Sequence, residues 1–73
     1  MNVKEMQEII DKAPYEQKIL IIKKEFYEKN KQEIDNLMRN NLFVDLCITN
    51  TLDEKTTAII MDKYLFYGID YGG

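Results

Sequence analysis

Apolar residues recur every three or four positions up to about residue 40, then at every second position from Leu42 onward. The first period is that of a helix and the second that of a strand. Near the start, Val3, Met6, Ile10 and Ala13 form one stripe, with Ile9 beside it. Asn2 stands where an N-cap belongs and Glu5 three residues later, as in a capping box. Met1 and Met6 fill the two positions of a hydrophobic staple. The pattern predicts a first helix over about 3–12. It is too short to persist unless its stripe docks on something.

Pro14 suits the first position of a second helix. Tyr15, Ile19, Ile22 and Phe26 follow at helical spacing, with Leu20 and Tyr27 widening the stripe. The pattern resumes at Ile34, Leu37, Met38 and Leu42. Between them, residues 28–33 are polar all round. Lys24 with Glu28 and Glu25 with Lys29 are opposite charges one helical turn apart. The expectation is one long helix over about 14–40, or two helices broken at Asn30. The Arg39-Asn40-Asn41 run ends it, since Asn tolerates a left-handed cap.

Leu42, Val44, Leu46 and Ile48 then share one face at period two, and residues 56–62 are rich in β-branched side chains. The spacing predicts an antiparallel hairpin between about 43–49 and 56–62, with Ile48 facing Ile59 and Leu46 facing Met61. Tyr64 to Ile69 would prolong its second strand or form a third. The fold expected is therefore α+β, two helices followed by a C-terminal hairpin, as one domain. The rival is an all-α three-helix bundle. Thr51 and Glu54 make a capping box, and Gly68 followed by Ile69 fits a helix ending. Residues 51–68 also loosely resemble the opening helix of sigma-factor-type helix-turn-helix modules, but no recognition helix follows and no family is assigned. A helix there would be apolar around its whole circumference, which a small chain cannot bury.

Composition narrows the function. The chain has 73 residues, no His, no Ser, no Trp and a single Cys, Cys47. No Ser-His-Asp triad, Cys-His pair or ordinary zinc site can be written from this set. One Cys also allows no internal disulfide. Domains this small bury only roughly 60% of their unfolded surface and are marginal alone, so self-association or completion by a partner is expected. Net charge is −3, with one Arg, Arg39. A nucleic-acid binder would normally carry a basic face. The longest apolar runs, Ile19–Ile22 and Tyr64–Tyr67, are far shorter than the ~20 residues of a membrane span. The acidic N-terminus does not resemble a signal peptide. A cytoplasmic protein with Cys47 reduced is expected.

Two constellations stand out. Asp45 and Asp62 would face each other in the hairpin, as a socket for a cation or for a Lys or Arg of a partner, or as two solvated carboxylates. Tyr64, Phe66, Tyr67, Ile69 and Tyr71 crowd the C-terminal end. Tyr rings bury area while keeping a polar tip, which suits either core or interface. The Lys-rich face of the second helix is interleaved with Glu and reads as solvated. Cys47 reads as a small buried hydrophobe, since nothing near it would lower its pKa. The expectation is a non-catalytic protein-binding module, a small regulator or inhibitor of the phage or mobile-element type, with no cofactor and no metal. Its partner is another protein of unknown identity, or a second copy in a homodimer. The contact would be Tyr64, Phe66, Tyr67, Ile69 and Tyr71, with Asp45 and Asp62. The alternatives are a helix-turn-helix regulator built on 14–41 and a self-assembling structural subunit.

Overall fold

The structure, a computed structural model, describes residues 1–13 and 16–66. Helix α1 spans Val3–Asp11 and begins as the sequence predicts: the Glu5 N–H donates to Asn2 Oδ1 at 2.8 Å. Strand β1 spans Lys18–Lys23. Helices α2, Lys24–Lys29, and α3, Lys31–Asn40, follow. Strands β2, Val44–Thr49, and β3, Ala58–Asp62, complete the fold.

The architecture is α+β, but strands and helices are interleaved rather than segregated. β1 is the middle strand of a three-stranded sheet of order β2-β1-β3. It runs parallel to β2 and antiparallel to β3. The long second helix therefore does not form. Ile19-Leu20-Ile21-Ile22 is strand, because a continuous, Ile-rich apolar run suits a strand buried on both faces. Ile19, Leu20 and Ile22 are all buried. What remains of the helix is broken at Asn30. The N–H of Asn30 donates to the carbonyls of Phe26 and Tyr27, and its side chain caps Phe26 again at 3.0 Å.

The two C-terminal strands lie close to where the alternation puts them, and residues 58–62 are not helix. They do not form a hairpin, because β1 lies between them. Ile21 pairs with Cys47 on one side and with Ile59 on the other. The second strand also stops at Asp62. Residues 63–66 turn into a short helical stretch and do not prolong the sheet edge.

Every helix packs on one face of the sheet. Leu20, Ile22, Val44 and Ala58 point to that side, with Leu46 and Ile60 partly buried. They meet Met6 and Ile10 of α1 and Ile34 and Leu37 of α3. Phe26 and Tyr27 lie at the margin of this core. A reciprocal amide pair ties α1 to the end of α3, with Asn41 Nδ2 donating to Gln7 Oε1 at 3.0 Å and Gln7 Nε2 to Asn41 Oδ1 at 3.3 Å. The opposite face carries Ile19, Ile21, Asp45, Cys47, Ile59 and Met61, of which Ile19 is buried. No helix among the described residues is long and apolar enough to cross a membrane.

Candidate protein-interaction surface

The sheet topology gathers three chain segments at one end. Parallel β1 and β2 start there and antiparallel β3 finishes there. Three backbone bonds fix the geometry: Lys18 N–H to the Phe43 carbonyl at 3.0 Å, Lys63 N–H to the Gln17 carbonyl at 3.0 Å, and, at the far end, Lys23 N–H to the Thr57 carbonyl at 2.9 Å. Phe43, Gln17 and Lys63 thus stand in one row.

This end is apolar and exposed. Leu42 is 87% exposed, Phe43 49%, Tyr64 77% and Leu65 65%. At the opposite end Lys23, Lys24, Glu25 and Asn50 surround a shallow hollow, and Ile48 and Ile59 are less exposed than Leu42, Phe43, Tyr64 or Leu65. Ile10, Asn40, Asn41 and Val44 join Leu42 and Phe43 around a recess of about 260 Å³. That is room for a side chain of a partner, below the ~300–1,000 Å³ of an ordinary ligand pocket.

Charges frame the patch. Lys63 Nζ lies 2.8 Å from Asp45 Oδ2. Asp45 and Met61 flank Ile19 in register, so this pair bridges the two outer strands across β1, and the Lys63 stem helps to cover Ile19. Asp62 Oδ1 accepts the Tyr64 N–H at 2.7 Å and so starts the turn that presents Tyr64 and Leu65. Lys18, almost buried at the same end, is held by Glu16 Oε2 at 2.9 Å.

Asp45 and Asp62 therefore do not face each other. They lie on opposite faces of the sheet, Asp45 beside Ile19 and Asp62 beside Lys18, because β1 separates their strands. Each has its own task, one in an ion pair and one in a cap. Tyr64 is in the patch and Phe66 is half-buried. Tyr67, Ile69 and Tyr71 lie outside the described residues. Cys47 is half-buried on the face away from the helices. No three metal-binding side chains come together among the described residues.

Leu42 and Phe43 are the members of the patch that sequence patterning assigned elsewhere, to a helix stripe and a hairpin face. A signal was present: two large apolar residues stand directly after the Asn40-Asn41 helix end, at the junction of the two periods. No protein-family model, no curated protein and no solved structure matches the chain.

Proposed function

We propose that this chain is a non-catalytic protein-binding module, a small regulator or inhibitor that docks on a larger protein through the apolar end of its sheet. The observation that carries the reading is the exposure of Leu42, Phe43, Tyr64 and Leu65 at one end of the sheet, the four most exposed large apolar side chains among the described residues. Apolar side chains gathered in this way mark interaction sites more often than isolated ones do. Tyr64 supplies the amphipathic ring that interfaces favour. The Asp45–Lys63 pair at the rim would set orientation more than affinity.

The chemistry of the chain agrees with this. It has no His or Ser, and Cys47 lacks a neighbouring base. The helix-turn-helix alternative places its first helix from residue 14, whereas Lys18–Lys23 are strand. The test is affinity capture from the native host with a double variant, Tyr64→Glu with Leu65→Glu. Both side chains are exposed, so the variant should melt as the wild type does while losing the captured protein. A captured protein that survives both substitutions would move the binding surface elsewhere.

A further inference from the structure

Among the described residues, little protects the outer edge of strand β2. The backbone bonds of β1 alternate, with Lys18 turned toward β2 and Lys23 toward β3. By the same alternation Asp45 and Cys47 face β1, and Val44, Leu46 and Ile48 turn their backbone groups outward. The Val44 N–H is already held by the Asn41 carbonyl at 3.1 Å. The remaining outward groups of Val44, Leu46 and Ile48 have no strand beside them among the described residues. Natural edges are blunted by Lys, Pro or bulges. Val-Asp-Leu-Cys-Ile-Thr has none of these, and its one charge, Asp45, is turned onto the face away from the helices by Lys63. The edge of β3 differs. Met1 lies against Thr57 at its start, and Lys63 follows its end.

A second observation lies at the two ends of β2. Ile48 points to the same face as Leu46 and Val44, yet it is 44% exposed. Leu42, in the turn that leads into β2, is 87% exposed. The helices leave both uncovered.

We infer that a second copy of this chain pairs with β2, antiparallel, about a two-fold axis at Leu46. Leu46 then faces Leu46 of the second copy, Val44 faces Ile48, and Asp45 faces Cys47. The outward groups meet: a reciprocal bond pair at Leu46, and the Ile48 N–H to the Val44 carbonyl, twice by symmetry. Ile48 comes directly against Val44 of the other copy, which covers the side chain that the helices leave exposed. Charge selects this register. An axis at Asp45 would place Asp45 against Asp45, which is unfavourable. An axis at Cys47 would leave Val44 opposite Asn50, beyond the strand. The contact is isologous and closes as a dimer rather than a fibre. It deepens the protein-binding reading by naming the occupant of one edge, and it leaves Tyr64 and Leu65 free for the larger target.

Sedimentation equilibrium and cross-linking test this. Reduced wild-type protein should approach twice its 8.7 kDa chain mass as concentration rises. Ile48→Glu should weaken association by more than about tenfold, since it buries a charge twice. Its melting as a monomer should be unchanged, because the position is exposed. Asp45→Cys places a thiol opposite Cys47 of the second copy, in a non-hydrogen-bonded pair with Cα atoms about 4.5 Å apart, within disulfide reach. Air oxidation should give a covalent dimer far faster than in wild type. A wild-type mass of 8.7 kDa at every concentration, or cross-linking no faster than wild type, overturns the dimer. Neither result touches the capture test, and loss of capture in the Tyr64 and Leu65 variant with an intact dimer would remove only the target reading.

Discussion

Tyr27 shows what one hydrogen bond does to a titration. Its hydroxyl donates to Asp35 Oδ1 at 2.8 Å, across the break between α2 and α3. That bond favours the neutral phenol and raises the Tyr27 pKa above 10.0; burial and the Asp35 charge push the same way. The folded value lies above the unfolded one, so the contribution to stability is fully present below the unfolded value and is lost as pH rises through the folded one. Asp35→Asn should bring the Tyr27 titration back toward its ordinary range. Ultraviolet difference titration against a Tyr27→Phe background isolates this phenol from the other tyrosines. An unchanged titration in Asp35→Asn would mean that the bond does not persist in solution. Burial sorts the other residues. Leu20 is fully buried at the centre of the core, whereas Phe26 is only partly covered. Leu20→Ala should cost about 2–5 kcal/mol, a large share of the ~5–15 kcal/mol that holds a small domain. Phe26→Ala should cost clearly less. Urea midpoints of the two variants give the order, and a larger loss at Phe26 would misplace the core.

Among the elements, α1 depends most on local signals. Asn2→Ala removes the side-chain cap on the Glu5 N–H and should cost about 1 kcal/mol, a drop of about 4–8 °C in melting temperature at this size. A drop below one degree would mean that the cap is frayed in solution. Local signals also explain what the sequence reveals. The cap, staple and stripe of α1 are contained within a dozen residues, and its bounds follow from them. The alternation of β2 and the β-branched run of β3 are likewise local, and both strands lie close to where the pattern puts them. Pairing is not local. Nothing in residues 42–62 says that a strand from residues 18–23 will enter between them, so a hairpin is the natural expectation. The Ile19–Ile22 run was open to both readings, because four apolar residues in a row fit a buried strand or one turn of a buried helix. The helical spacing from Tyr15 to Phe26 favoured the helix; burial on both sides of a sheet decides for the strand. The same displacement explains the candidate site. Asp45, Asp62 and Tyr64 lie at one end of the sheet, but the inserted strand puts the two carboxylates on opposite faces instead of facing each other, and Leu42 and Phe43 stand at the same end.

At the scale of the molecule, β1 is the spine. Both other strands bond to it, and helices cover one of its faces, so the fold should open from its edges and not from its centre. Amide hydrogen exchange reads this directly. The N–H groups of Ile19 to Ile22 all point at a neighbouring strand, alternately β3 and β2, and should exchange slowest. In β2, Asp45 and Cys47 face β1 and should be protected, whereas Leu46 and Ile48 face outward. In β3, Ile59 and Met61 should be protected and Ile60 should not. A monomer at low concentration should therefore show alternation along both outer strands, a pattern that a two-stranded hairpin of β2 and β3 cannot give to the Ile19–Ile22 run. Raising the concentration separates the edges. If the second copy adds at β2, Leu46 and Ile48 become protected while Ile60 continues to exchange. Protection that grows at Ile60 instead would move the two-fold axis to β3. Fast exchange at both edges at all concentrations would leave the molecule a monomer with two open edges. β2 would then be no less defended than β3.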